Sequence, residues 1–243
     1  MSGWTLRWLS AAALTLIPAA VQAQAPACIA PDRVPVPRLE QRPRDEPVRT
    51  PPITGYKLSM SWSPQYCSRV RSPKDTRDRF QCSGDDGRFG WVLHGLWPET
   101  DTPDYPQWCR PAKIVPGPVL RKHMCMTPSA QLLQHEWAKH GTCMSPNPDA
   151  YFAAAAILFR VVRFPDMKVL AATPQTAGSV RRAFAAVNRG IGERMISVST
   201  DRDGWLNEVR FCLGPRMRPQ QCKPFQRGLD DRRAVRVRPM PGR

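Results

Sequence analysis

The chain contains the stretch LQHEWAKHGTC at residues 133–143, and this stretch decides how the rest of the sequence is interpreted. Upstream, Thr127-Pro128 combines an N-cap residue with proline at the first helical position, and Gly141 supplies a C-terminal stop. We therefore predict a helix over residues 128–140. Because each residue turns a helix by about 100°, four chemically active side chains share one face of it. These are His135, Glu136, Lys139 and His140.

Such a cluster on a helix does not by itself indicate catalysis. A charged, solvent-exposed flank is the ordinary reason for charged side chains on one helical face. A zinc protease site of the HExxH type is also conceivable, since a His-Glu pair is followed by another histidine. That motif needs histidines at i and i+4, whereas His135 and His140 are at i and i+5, about 140° apart around the helix. Lys139 would repel a cation bound between them, so we expect neither a metal site nor a cofactor.

Cleavage of a phosphodiester makes better use of these side chains. RNA that is cut through its own 2′-hydroxyl needs a base for that proton, an acid for the leaving 5′-oxygen and cations for the charged phosphorane. Histidine suits both proton transfers, because its ordinary pKa is about 6.5. One helix cannot readily place acid and base on opposite sides of the phosphorus, so a second histidine should come from elsewhere. The candidate is His94, in the stretch WVLHGLWP at residues 91–98, although a lone histidine in an apolar strand is more often a core residue.

The two stretches resemble the active-site signatures of the ribonuclease T2 family, H-G-L-W-P and H-E-W-x-K-H-G-x-C, in the right order and with no departure at the catalytic positions. The resemblance covers roughly residues 55–225 and includes LSMSWSPQYC at residues 58–67. NPDAYF at residues 147–152 is closest to bacterial members, of the periplasmic ribonuclease I type. The resemblance implies an α+β fold in which an antiparallel sheet packs against helices and disulfides crosslink the chain. It also implies an endoribonuclease whose substrate is single-stranded RNA.

The resemblance further assigns a role to each site residue. His140 would be the general base on the 2′-hydroxyl, and His94 the general acid at the leaving oxygen. His135 would bind the phosphate, and Trp97 would help to shape the phosphate site. Glu136 and Lys139 would stabilise the pentacovalent transition state. The implied products are a 2′,3′-cyclic phosphate and then a 3′-phosphate, formed without a metal and with low base specificity. DNA lacks the nucleophile and would at best inhibit.

Hydrophobic periodicity beyond these signatures predicts a mixture of strands and helices without regular alternation, which favours the α+β class. Alternating residues predict strands at 56–62 and 91–97. A hairpin is predicted further on, with residues 196–198 and 206–211 as its arms and Asp203-Gly204 in the turn.

Start and stop signals predict two more helices. One begins at Asn147-Pro148-Asp149 and ends near Phe164, and the second runs from about Ser179 to Arg189.

Both ends of the chain are predicted to lie outside a catalytic domain at residues 55–226. Residues 1–23 combine a basic stretch, an apolar run and a small-residue pattern, as signal peptides do, so we expect export to the periplasm or the extracellular space. Residues 24–54 are rich in proline and charge without a hydrophobic period, which predicts an extended linker. Residues 227–243 form an arginine-rich tail that we expect to be solvated. We expect a monomer without stable membrane association.

The net charge of +16 and the pI of about 10.2 favour a polyanionic partner such as RNA, but much of the excess is arginine in the tail. Two non-enzymatic functions are compatible with that charge. One is a secreted, non-catalytic or toxin-like RNA-binding protein that keeps the fold, and the second is a membrane-active basic protein. A pure binder needs neither both histidines nor the Glu-Lys pair, and the membrane hypothesis rests on the tail alone. The sequence therefore favours the enzyme.

Eight cysteines after an export signal predict disulfides, and no two of them have the CxxC spacing of a zinc knuckle. The residues themselves leave the pairing open. The family resemblance implies two pairs, Cys109 with Cys143 and Cys212 with Cys222. It leaves Cys67 a choice between Cys82 and Cys125, and gives Cys28 no clear counterpart.

Overall fold

A four-stranded antiparallel sheet forms the centre of a computed structural model, which describes residues 28–70 and 78–241. The predicted signal peptide, residues 1–23, lies outside the described residues. The strand order is β2-β1-β5-β4, with strands β1 (Gly55–Trp62), β2 (Trp91–Glu99), β4 (Ile196–Thr200) and β5 (Leu206–Leu213). Two short strands, β3 (Gln175–Thr176) and β6 (Ala234–Val235), pair separately. The predicted α+β class with an antiparallel sheet is confirmed.

Helices surround this sheet, and the two longest, α6 and α8, pack on its apolar face. The α-helices are α1 (Ser63–Cys67), α2 (Arg79–Cys82), α3 (Gly117–His123), α4 (Ala130–Glu136), α5 (Thr142–Met144), α6 (Pro148–Val161), α7 (Met167–Ala172) and α8 (Ala177–Val187). None of the helices in residues 28–70 and 78–241 is both long and apolar enough to cross a membrane.

The two faces of the sheet differ in polarity because successive side chains of a strand point to opposite sides. In β1, Leu58 and Met60 join the hydrophobic core, while Ser59 and Ser61 alternate with them. On the neighbouring strand β5, Arg210 is the register partner of Ser59, and Glu208 that of Ser61. The sheet therefore carries a polar face on the side opposite α6 and α8.

A β-bulge interrupts the pairing of β1 with β2. Ser59 pairs with Gly95 and Met60 with Leu93, so His94 is an extra residue without a partner across the ladder. A bulge bends its strand and changes the direction in which its side chain points. His94 is thus placed by an irregularity that simple alternation does not predict.

The helix predicted at 128–140 is wrong in both its start and its continuity. Thr127 donates its hydroxyl to the carbonyl of Leu93 at 2.8 Å, and Ser129 is the N-cap instead, since it accepts a hydrogen bond from the amide of Leu132. After Glu136 the chain widens into a π-helix, Trp137–Gly141, and then continues as α5. Gly141 does not end the helix. Its lack of a side chain lets the rings of Trp137 and Tyr151 pack there, since a Cβ atom would lie 2.4 Å and 2.9 Å from them.

The remaining predicted elements are close to those observed. Helix α6 begins at the predicted cap, Asn147, whose side chain accepts from the amide of Ala150, but it ends at Val161, before Phe164. Helix α8 begins two residues earlier than predicted, because Thr176 and Ser179 form a capping box. The hairpin of β4 and β5 is present.

Four disulfides crosslink the chain. They join Cys28 to Cys125, Cys67 to Cys82, Cys109 to Cys143 and Cys212 to Cys222. The last two are the pairs that the family resemblance implies. Cys67 takes Cys82, and this leaves Cys125 for Cys28.

The described part of the predicted linker, residues 28–54, lies against the domain instead of apart from it. It is tied there by the Cys28–Cys125 disulfide and by polar contacts, such as the amide of Arg38 donating to Gln131 at 2.9 Å. Because these contacts are polar and distant in sequence, hydrophobic periodicity gave no sign of them.

The C-terminal tail is also packed in its described part, up to residue 241. Its strand β6 pairs with β3, and Val235 and Val237 are buried in the core. The carbonyl of Arg238 accepts a hydrogen bond from the indole of Trp62 at 2.8 Å. The expectation of a solvated tail is therefore wrong for Val235 and Val237, which are apolar and cover the core, whereas Arg232, Arg233 and Arg236 are exposed.

Candidate active site

His94 lies on the polar face of the sheet, between two carboxylates. Its Nδ1 atom is hydrogen-bonded to Oε1 of Glu208, and the hydroxyl of Ser61 is 3.5 Å from the same nitrogen. On the opposite side of the ring, Nε2 is 3.4 Å from Oε1 of Glu136. Burial alone lowers the pKa of His94, but the hydrogen bond to Glu208 and the charges of both carboxylates outweigh it and raise that pKa above its ordinary value of 6.5.

Glu208 is 4% exposed and fully engaged. Its Oε1 accepts from Ser61 Oγ at 3.2 Å as well as facing His94, and its Oε2 accepts from Nε of Arg210 at 2.9 Å. Burial raises the pKa of the carboxyl, but the contacts with His94 and Arg210 outweigh it, so its pKa is about 2. Glu208 therefore remains ionised beside His94.

Glu136 is fixed by close packing against strand β2. It is 2% exposed, and its Oε2 accepts from the indole nitrogen of Trp97 at 2.8 Å. Gly95 leaves the space for it, since a Cβ there would lie 1.9 Å from Oε2. Burial raises the pKa of Glu136, and the charges of His94 and His135 offset this only in part.

His140, in the π-helix, occupies an apolar environment. It is 5% exposed, and its ring centroid is 5.5 Å from that of Trp97 and 5.9 Å from that of Tyr105. Its buried Nδ1 has no hydrogen-bond partner among the described residues. Burial, followed by the positive charges of Lys139, His135 and His94, lowers its pKa well below 6.5. His140 is thus held in the neutral, proton-accepting form.

His135 and Lys139 form a second group with Trp108. The Trp108 ring is 5.8 Å from that of His135, and the Lys139 ammonium is 5.9 Å from its centroid. Trp108 has a positive φ of 56°, which is uncommon outside glycine, and its amide donates to the carbonyl of Lys139 at 2.8 Å. The Cys109–Cys143 disulfide fixes the same two segments together.

Two carboxylates of the N-terminal segment occupy this cationic group. Oε1 of Glu40 is 2.9 Å from Nδ1 of His135, and Glu46 accepts from Nζ of Lys139 at 2.8 Å and from the Trp108 indole at 2.6 Å. Burial raises the pKa of Glu46, but the hydrogen bonds from Lys139 and Trp108 outweigh this effect, so its pKa is lowered. An anion, here a carboxylate, is thus the group that His135 and Lys139 bind.

The structure divides the residues predicted from the sequence between these two groups. Trp97 contacts Glu136 and the rings of His94 and His140, whereas His135 and Lys139 lie with Trp108. Glu136 and Lys139, to which the resemblance gives one role, therefore have different partners: Glu136 accepts from the indole of Trp97, and Lys139 donates to Glu46. The rotation of about 100° per residue that was used to predict one shared face does not hold in this segment, because a π-helix turns less per residue than an α-helix.

Several residues of the site were not predicted, namely Ser61, Trp108, Glu208, Arg210, Glu40 and Glu46. All of them reach the site from distant segments. Glu208 and Arg210 alternate with apolar residues, a pattern that equally describes any solvated strand face.

This arrangement provides a proton donor, His94, and a proton acceptor, His140. His94 is stabilised in its charged form and His140 in its neutral form, and they come from a strand and a helix. Within residues 28–70 and 78–241, no group of three or more His, Cys, Asp or Glu side chains is arranged to hold a metal ion.

Sequence comparison relates the chain to known nucleases. A profile of the ribonuclease T2 family matches residues 54–222. The chain is 35% identical over 127 residues to a probable ribonuclease of Haemophilus influenzae, and 39% identical over 88 residues to a ribonuclease of Aeromonas hydrophila. These alignments cover 49% and 36% of this chain, and 46% and 36% of the two relatives. The chain thus spans less than half the length of either relative.

Structural comparison relates the fold to the same group. The chain superposes on trichomaglin, described as a novel S-like ribonuclease, with a TM-score of 0.61 and 19% identity. The match covers 79% of this chain and 100% of trichomaglin. At that identity the likeness concerns the fold alone.

Proposed function

This chain belongs to the ribonuclease T2 family, and on that premise we propose that it is an endoribonuclease that cleaves single-stranded RNA by attack of the 2′-hydroxyl on the adjacent phosphate. The first product is a 2′,3′-cyclic phosphate and the second a 3′-phosphate, with low base specificity. One observation carries the proposal. Two histidines on different elements have opposite surroundings: carboxylates lie at both nitrogens of His94, whereas His140 is buried near positive charge. Their pKa values are therefore shifted in opposite directions, which favours a charged His94 and a neutral His140 in the same molecule.

The proton transfers follow from those two states. Neutral His140 accepts the proton of the 2′-hydroxyl, and charged His94 donates a proton to the leaving 5′-oxygen. A pair with unshifted pKa values would hold the required combination of states in about a quarter of the molecules at best. The opposite pKa shifts place most of the molecules in the required combination of protonation states.

The charged phosphorane is stabilised by the second group. His135 and Lys139 already hold two carboxylates, and a phosphate oxygen carries the same charge in a similar size. Glu136, held by Trp97, lies at the Nε2 side of His94, where the leaving oxygen is protonated. In this proposal no step needs a metal or a cofactor, since side chains supply every acid, base and positive charge.

The decisive experiment is product analysis on a short RNA in the presence of EDTA. We expect a 2′,3′-cyclic phosphate by mass spectrometry, and no cleavage of the corresponding DNA. His94→Ala and His140→Ala should each lower the rate by at least about 10²-fold. His123→Gln is the matched control, because His123 is buried in the core near Phe152 and outside both groups. Full activity in either site variant would contradict the roles, and activity restored by zinc after chelation would revive a metal mechanism.

We further propose that the protein is exported by its N-terminal segment to the periplasm or beyond the cell and acts as a monomer. The four disulfides support an oxidising compartment. Fractionation of cells that express the protein with or without residues 1–23 tests the export. Size measurement of the purified enzyme tests the monomeric state.

A further inference from the structure

We propose that Glu208 is a positioning residue for the general acid: its carboxylate holds the His94 ring through Nδ1, so that the proton delivered to the leaving oxygen is carried on Nε2. The inference rests on the proposed role of His94. Glu208 does not reach the reacting atoms itself.

Glu208 is itself held rigidly, because both of its oxygens are occupied, Oε1 by His94 and Ser61 and Oε2 by Arg210. A carboxylate 4% exposed has almost no water to replace a lost partner, so its orientation is set by these three contacts. The antiparallel register of β1 and β5 places Glu208 opposite Ser61, with β1 between it and the strand that carries His94.

Besides Glu208, the His94 ring has two weaker contacts: Oε1 of Glu136 is 3.4 Å from its Nε2, and the Trp97 ring is 5.2 Å away between centroids. The bulge leaves His94 unpaired in the ladder, and the terminal torsion of a histidine ring is broad, so the backbone alone does not fix which nitrogen faces Glu208 and which faces Glu136. Ser61 is 3.5 Å from Nδ1, at the limit of a hydrogen bond, and cannot replace the carboxylate. Glu208 is therefore the principal restraint on the ring.

The same contact decides which nitrogen of His94 exchanges its proton. A carboxylate accepting from Nδ1 selects the neutral tautomer with its hydrogen on that atom, which leaves Nε2 as the nitrogen that gains and loses a proton. Nε2 faces Glu136 and not Glu208. The ionised carboxylate, with its pKa of about 2, also favours the imidazolium that must form before each turnover.

A purely structural role for Glu208, as the partner of Arg210, makes a different prediction. Loss of that pairing would destabilise the protein or reduce activity equally at all pH values. Loss of the positioning role would instead change the protonation of His94, so the two roles are separated by pH.

The test begins with the wild-type protein and does not depend on any variant folding. Nitrogen-15 correlation spectra of the imidazole at high pH should show His94 as the Nδ1-protonated tautomer. The Nε2-protonated tautomer would overturn the proposal. This readout needs no RNA cleavage, so an inactive wild-type enzyme would sink the proposed function and leave the Glu208 contact to be judged by the spectrum.

Two variants then test the effect on the acid. In Glu208→Gln the alkaline limb of the kcat/KM profile, where His94 loses its proton, should shift to a pH about one unit lower. Activity should therefore fall about tenfold at pH 8 and little at pH 5. Glu208→Asp keeps the charge and should keep the limb in place at a lower kcat. The matched control is Glu99→Gln, since Glu99 is equally buried in the same sheet and pairs with Lys57 at 2.8 Å away from His94. A uniform loss in Glu208→Gln without a moved limb, or the same shift in the control, would refute the positioning role.

Discussion

His94 and His140 both contact the indole of Trp97, with ring centroids 5.2 Å and 5.5 Å from it. The two histidines share this neighbour but not their electrostatic surroundings. His94 has carboxylates at both nitrogens, whereas His140 is buried among rings and near positive charge. One small region therefore favours charge on one imidazole and opposes it on its counterpart.

The pH profile of kcat/KM should show a broad plateau that spans pH 6.5. Activity is lost as pH falls through the lowered pKa of His140, because the base becomes protonated, and as pH rises through the raised pKa of His94, because the acid loses its proton. Initial rates on a short RNA at constant ionic strength check this. A narrow optimum of two unshifted histidines would contradict the assignment.

Removal of the carboxylates at the cationic group should strengthen anion binding. In the double variant Glu40→Gln with Glu46→Gln, inorganic phosphate no longer has to displace two negative charges from His135 and Lys139. We expect its Kd to fall about tenfold, which is the combined effect of losing two partly exposed carboxylate contacts of ordinary strength. Calorimetric titration with phosphate at low salt measures it.

Asp32→Asn is the control for this prediction, because Asp32 belongs to the same segment and pairs with Arg121 at 3.0 Å, on α3 and not in the cationic group. Its Kd for phosphate should equal that of the wild type. Unchanged or weaker binding in the double variant would mean that Glu40 and Glu46 hold the cations in place and do not compete with phosphate.

The sequence predicted the fold class and the elements that carry local signals, such as the Asn147 cap and the hairpin of β4 and β5. It also placed His94 and His140 on different elements. It could not predict Glu208, which is 114 residues from His94 and reaches it only through the strand order β2-β1-β5. Local periodicity carries no information about which strands become neighbours.

The irregular parts of the site were hidden for a different reason. Both the bulge at His94 and the π-helix around His140 break the periods of two and 3.6 residues on which such predictions rest. The Glu40 and Glu46 contacts were missed because a proline-rich segment without apolar period gives no reason to expect a docked position. Two departures from regular geometry, the bulge and the π-helix, therefore position the two histidines of the site.

Gly95→Ala should abolish most activity while the protein remains folded. The added Cβ would lie 1.9 Å from Oε2 of Glu136 and 2.8 Å from the Trp97 indole nitrogen, so the hydrogen bond between these two residues must break or shift. Displacement of this order at an active site costs about 10²-fold in rate. Gly117→Ala is the control, since a Cβ there meets nothing within 4 Å. Wild-type kcat/KM in Gly95→Ala would show that the position of Glu136 does not matter.

The buried His123 should make the stability of the protein depend on pH in weakly acidic solution. Burial, with Lys122 nearby, lowers its pKa to about 4, whereas in the unfolded chain the value is 6.5. Between these values the unfolded state binds more protons than the native state, so the free energy of unfolding rises with pH and falls as the solution is acidified from 6.5 towards 4. The full shift corresponds to about 3 kcal/mol. In His123→Gln, urea unfolding at a series of pH values should show a shallower slope over this interval, with the remainder coming from His140, whose pKa is lowered in the same direction. An unchanged slope would mean that His123 binds protons equally in the native and unfolded states. Its buried Nε2, which has no hydrogen-bond partner in the part of the chain that the structure describes, argues against that.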